Sequence, residues 1–123
     1  DAVSTEGTFT VESAENVSIP DNNEAGAVST INVSESHSIA RMTIKVKVSH
    51  SYVGALVLTV KHGAVTKTIH NMEGGTDTSI EKSYMVEEFN GDNTSGDWEL
   101  KAVDTDAYDD TGAIESWSIE FTY

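Results

Sequence analysis

The sequence predicts an all-β chain: an antiparallel two-sheet β-sandwich of jelly-roll type with about eight or nine strands. Three observations predict it. Apolar and polar residues alternate in most segments, the alternating runs are short, and clusters of Gly, Asn, Asp and Ser separate them at regular spacing. No segment carries a convincing helical periodicity. Two Trp-led runs near the end are the clearest case. Trp98, Leu100 and Ala102 share one face of an extended chain, as do Trp117, Ile119, Phe121 and Tyr123. A period of two means half-buried strands.

The elements follow in order. The opening DAVSTEGT, residues 1–8, is small, polar and aperiodic, and is expected to be a linker, which leaves residues 9–123 as a single domain. Phe9 to Val11 and Val17 to Ile19 are short apolar runs, the second stopped by Pro20, whose fixed φ sets a turn into Asp21-Asn22-Asn23. A strand is expected from about Ala27 to Val33, closing on a Ser-Glu-Ser-His turn. The longest alternation places Met42, Ile44, Val46, Val48 and His50 on one face and Arg41, Thr43, Lys45, Lys47 and Ser49 on the other. This is a central strand with one wet face.

Beyond the Tyr52-Val53-Gly54 turn, Leu56, Leu58 and Val60 form a strand that Lys61-His62-Gly63 turns into Val65 to Ile69, a hairpin. Met72 to Asp77 is a Gly-rich loop. Ile80, Lys82, Tyr84 and Val86 carry the next alternation, ended by the turn cluster Asn90 to Gly96.

Composition bounds the function. A chain of 123 residues is one domain that can bury a core without an obligatory metal or disulfide. Only 37% of residues are hydrophobic, so the core is expected to be thin and mostly β-branched. The 21 acidic against 7 basic residues give a formal net charge of −14, which opposes nucleic acid and anionic membranes and favours cation uptake. Cysteine is absent, removing disulfides, thiolate zinc sites and cysteine nucleophiles. No apolar run approaches a membrane span, and the start has neither an initiator Met nor a signal-like n-region. The chain therefore reads as a processed piece of something longer.

Between the two Trp-led runs lie Asp104, Asp106, Asp109 and Asp110, whose charges repel at short range. A hard divalent cation relieves that repulsion, and calcium, with six to eight oxygen ligands, is the expected ion. Asp21 joins the set if the fold brings the turn after Pro20 beside this loop. The spacing is not that of an EF-hand, because Tyr108 and Asp109 occupy positions that need an oxygen ligand and a glycine. The same carboxylates also suit a solvated turn in which Asp109 or Asp110 makes an Asx-turn ahead of Gly112.

Other chemistries find less support. His37, His50, His62 and His70 show no HExxH or short H-x-H spacing, and without cysteine no closed structural zinc site is expected. His50, in phase with the apolar face of its strand, reads as a hydrogen-bonded core residue beside Tyr52. No G-x-S-x-G elbow accompanies the serines and histidines. No catalytic residues are therefore assigned.

Four blocks stand in a telling order: IPDNN from Ile19, HSYVGAL from His50, FNGDNTSGDWELKAVD from Phe89, and DDTGAIESWSIEF from Asp109. In this order the chain resembles the P domain of proprotein convertases, which shows an Ile-Pro-Asp turn, a His-Thr-Tyr-like segment leading to Gly-Asp-Leu, a Gly-x-Trp-x-Leu-x-Val-x-Asp stretch, an Asp-Gly loop and a final Trp-x-Leu strand. The resemblance runs from about Val17 to Tyr123. Ala55 replaces the aspartate usual after Gly54, and Lys61-His62-Gly63-Ala64 stands for the family's Ser-Pro-x-Gly-Thr turn, so no role of that aspartate is carried over.

The resemblance implies a non-catalytic accessory domain placed after the catalytic domain of a secreted protease, most often a subtilisin-like serine endopeptidase and sometimes a metalloprotease. It implies support of folding, stability, maturation or substrate engagement. The expected partners are the catalytic domain of the same chain and a protein substrate, with the domain itself a monomer. The rival reading is a secreted carbohydrate-binding or adhesive β-sandwich, which needs an exposed aromatic platform. Trp98 and Trp117 are in phase with apolar residues and expected in the core, leaving Tyr108 and Tyr123 as the exposed aromatics.

Overall fold

The computed structural model describes residues 7–106 and 110–123. Among the described residues, nine strands form two antiparallel sheets: β1 Thr8–Ser13, β2 Val17–Ile19, β3 Ala27–Val33, β4 Arg41–His50, β5 Leu56–His62, β6 Val65–Asn71, β7 Ser79–Val86, β8 Gly96–Asp104 and β9 Gly112–Thr122. One sheet runs β1-β9-β4-β7, with β2 also paired to β9, and the other runs β3-β8-β5-β6. The expected two-sheet sandwich is thus present, and its strands fall where the alternation placed them. Strand order begins at Thr8, and Gly7 exchanges two backbone hydrogen bonds with Tyr123, at 2.8 and 2.9 Å. The pairing therefore takes up the last residues of the segment read as a linker. Among the described residues, no helix is long and apolar enough to cross a membrane.

Alternate residues of each strand meet between the sheets. In β3 the burial alternates strictly, with Ala27, Ser29, Ile31 and Val33 inside. Met42, Ile44, Val46, Val48 and His50 of β4 are buried, as are Leu56, Leu58 and Val60 of β5. The core is rich in Val and Ile, as expected. β-branched side chains fill a pleated surface at little cost in rotamer freedom.

Two bulges break the period. In β9 the register against β4 shifts between Lys47 and Val48, so that both Ile114 and Trp117 face inward although three residues apart. A second shift, between Leu58 and Thr59, turns His70 of β6 into the core opposite Leu58. One extra residue reverses the facing of everything beyond it. The β5–β6 turn is the expected tight hairpin, with Gly63 at φ 61°, a left-handed conformation that glycine adopts without strain.

Both tryptophans are buried, as predicted. Trp98 donates Nε1–H to the Thr94 carbonyl at 2.9 Å and stacks on His62 at 3.8 Å between ring centroids. Trp117 donates Nε1–H to Ser29 Oγ across the sandwich at 2.9 Å. Ser29→Ala leaves that indole N–H without its acceptor in a dry core, and should cost about 1–3 kcal/mol, read as a lower urea midpoint at unchanged slope. An unchanged midpoint would show that the bond adds nothing. On β7, Tyr84 is half-buried; burial, reinforced by the Glu73 charge, pushes its phenol pKa up.

Candidate metal centre

Carried to the ends of their strands, the period-two patterns deliver two polar side chains into the core. His50 is the last inward residue of β4, and Asp104 is the last inward residue of β8. They belong to opposite sheets and meet at one end of the sandwich. His50 Nε2 donates to Asp104 Oδ2 at 3.0 Å, and both side chains are fully buried. Asp104, an expected ligand assigned to the acidic loop, lies at the buried end of β8 and not in the loop. An Asx-turn forms at Asp104, whose Oδ1 accepts the Asp106 N–H at 2.9 Å.

The rest of the end is tied to this pair. Ser51, just after β4, donates Oγ–H to Asp110 Oδ1 at 2.8 Å, and its Oγ accepts the Thr111 N–H at 3.0 Å. Asp110 in turn donates its backbone N–H to Asp21 Oδ1 at 3.1 Å. The turn after Pro20 is therefore beside the acidic loop. Asp110 Oδ2 is buried and has no hydrogen-bond partner among the described residues.

One atom each from His50, Asp104 and Asp110 lie within 4.8 Å of one another, a grouping able to hold a metal ion. Of the five predicted ligands, the fold thus brings Asp104 and Asp110 to one point. Asp21 reaches the site through the Asp110 backbone, and Asp106 through its own N–H; Asp109 lies outside the described residues. The residue missed in the ligand reading is His50. Its core placement beside Tyr52 is as expected, with Nδ1 at 3.0 Å from the Tyr52 N and 2.8 Å from the Tyr52 carbonyl oxygen. Its phase with Val48, set against Asp104's phase with Ala102, is the signal that pairs them.

Gly112 makes room for the imidazole. It sits opposite His50 in register, and a Cβ there would come within 2.3 Å of the Ser49 carbonyl oxygen and 2.7 Å of His50 Cδ2. Only glycine fits.

The family model described as "Proprotein convertase P-domain" matches residues 39–121, over half of the chain. The chain belongs to the proprotein convertase P-domain family. By fold, this P domain is similar to the crystal structure of the serine protease of Aeromonas sobria, at a TM-score of 0.81 and 13% identity, over 99% of this chain and 28% of that one. The complex of that protease with the chaperone ORF2 gives a TM-score of 0.81 at 12% identity, again over 99% and 28%. FLHE is also similar, with a TM-score of 0.64, 8% identity and 98% of both chains covered. No curated protein matches the P domain in sequence. The domain spans less than a third of the Aeromonas protease chain it matches.

All four sequence blocks of the P domain converge on the same end: IPDNN supplies Asp21, HSYVGAL supplies His50 and Ser51, the Trp98 strand ends in Asp104, and DDTG supplies Asp110 and Gly112. No aromatic platform forms among the described residues. Trp98 and Trp117 are buried, Tyr123 is half-buried and stacked on His37 at 3.6 Å, and Tyr108 lies outside the described residues.

Proposed function

We propose that this chain is the non-catalytic accessory domain of a secreted peptidase, of subtilisin-like serine type, and that it supports the folding, stability, maturation or substrate engagement of a catalytic domain in the same polypeptide. Membership of the P-domain family, matched across residues 39–121, carries this reading. The fold-level likeness to a segment of a serine protease supports it. The strand orders, in which β2 to β9 divide as β2-β9-β4-β7 and β3-β8-β5-β6, support the jelly-roll expectation. The domain's partners are its own catalytic domain and a protein substrate, and it acts as a monomer.

The end bearing Asp21, Asp104 and Asp110 is the surface we assign to cation-dependent ordering, with calcium as the ion expected from the acidic loop. Carboxylate oxygens suit that ion, but the imidazole nitrogen among them does not belong to a calcium ligand set. Two measurements test the reading. Deleting this segment from the parent protease should reduce its maturation or thermal stability; a truncated enzyme that matures and melts unchanged ends the accessory role. For the metal, thermal melts of the domain with and without calcium after chelator treatment should differ, because mass action raises the Tm of a folded state that binds a ligand. Superimposable melts exclude calcium.

A further inference from the structure

We infer that His50, Asp104 and Asp110 form a mixed nitrogen and oxygen site for a borderline divalent transition ion, best matched by zinc, in place of an all-oxygen calcium site. This rests on the proposal that the acidic end binds a divalent cation, and changes which one. The three side chains share a pattern. Each has one polar atom held by the surrounding chain and another left for the common point.

For Asp104 the held atom is Oδ1, which accepts the Asp106 N–H; for Asp110 it is Oδ1, which accepts the Ser51 hydroxyl. That leaves Asp104 Oδ2, 3.0 Å from His50 Nε2, and Asp110 Oδ2, which is buried without a partner among the described residues. A buried carboxylate oxygen with no donor is costly, and a cation offsets that cost. His50 and Asp104 are 3% and 1% exposed, so the point lies in the core and not among solvated carboxylates. Two carboxylates and a neutral imidazole carry a formal charge of −2, which one dication offsets, lowering the penalty of burying net charge.

The socket of His50 is the more specific observation. A metal-bound imidazole donates its other N–H to a carbonyl or carboxylate, which fixes ring and tautomer. Tyr52 presents both groups to Nδ1: its N–H at 3.0 Å and its carbonyl oxygen at 2.8 Å. Without metal, Nε2–H bonds to Asp104 and the bare Nδ1 accepts the Tyr52 N–H. With metal at Nε2, the proton resides on Nδ1 and bonds to the Tyr52 carbonyl. The ring changes tautomer in place, with no net gain or loss of a proton. Calcium, which takes six to eight oxygens at about 2.3–2.6 Å, has no use for the nitrogen. Zinc takes three such protein ligands at about 2.0–2.2 Å and leaves a fourth position for water. This is not the closed four-residue site that the lack of cysteine argues against.

The test uses the 123-residue chain after chelator treatment. Cobalt(II), a coloured stand-in for zinc, should bind one to one and give visible ligand-field absorption that zinc abolishes and a large excess of calcium does not. In NMR, zinc should move the His50 ring to the Nδ1–H tautomer while His37, His62 and His70 stay as they are. Asp110→Asn and Ser51→Ala, both outside the packed core, should retain the native circular dichroism and weaken zinc by roughly 10–100-fold. Zinc that shifts only a surface histidine, or those two variants binding with unchanged affinity, overturns the inference. Calcium binding with the His50 resonances unmoved also overturns it and leaves the calcium reading standing. Binding of no divalent ion removes both, while the accessory role is judged separately by the truncation.

Discussion

Asp104→Ala should destabilise the domain by about 2–5 kcal/mol, read from denaturant unfolding in chelator, because two N–H donors lose their acceptor and each orphaned donor costs about 1–3 kcal/mol. His50 would keep its place in the sheet, because its Nδ1 is held by Tyr52, while its Nε2–H would face a cavity. The Asp106 N–H would lose its acceptor as well. Asp106→Ala, which leaves that backbone bond in place, should move stability by less than about 0.5 kcal/mol and serves as the control. Replacing both members, as in His50→Phe with Asp104→Leu, should recover part of the loss, since an apolar pair has nothing left to satisfy. A single substitution costing less than about 1 kcal/mol would mean that the pair is solvated in solution.

Trp98→Ala is the second large effect, at about 3–5 kcal/mol, or a fall in Tm of roughly 10–20 °C for a domain of this size. Its ring is sandwiched among His62, stacked at 3.8 Å, Phe89, edge-on at 5.0 Å, and Phe121, tilted at 5.1 Å. Deleting it opens a void that three rings on different elements cannot close together. His62 is further pinned by contacts of 2.9 Å from its two ring nitrogens to the carbonyls of Asp97 and Asn93, so it cannot swing in to fill the gap. Trp98→Phe should cost much less. Equal losses for the two variants would show that hydrogen bonding to Thr94, not packing, carries the effect.

The strands were legible because this fold is written in period two. β3 falls on the very residues, Ala27 to Val33, that alternation picked out. The bulges were not legible: nothing in the local sequence announces that Ile114 and Trp117 share a face, or that His70 turns inward opposite Leu58. They come from pairing between strands distant in the chain. The candidate site was half legible for a related reason. Sequence proximity grouped four aspartates into a loop, but a folded site is assembled by strand ends. Asp104 and His50 are 54 residues apart, and only the two alternations taken together bring them face to face. Asp21, by contrast, was placed beside the loop on condition of the fold, and its bond to the Asp110 N–H meets that condition.

The position of β9 has a consequence for how the chain is made. This strand holds β4 along one edge and both β1 and β2 along the other. A ribosome releases it after the eight strands that precede it, so the first sheet has no middle until residues 112–122 have emerged, and β1 and β2 must wait, unpaired, for a partner about a hundred residues downstream. Synthesis from the amino end can pair β4 with β7 and complete the second sheet, but the sandwich closes only when β9 arrives, and any nascent chain cut short of β9 is left with open strand edges in the first sheet.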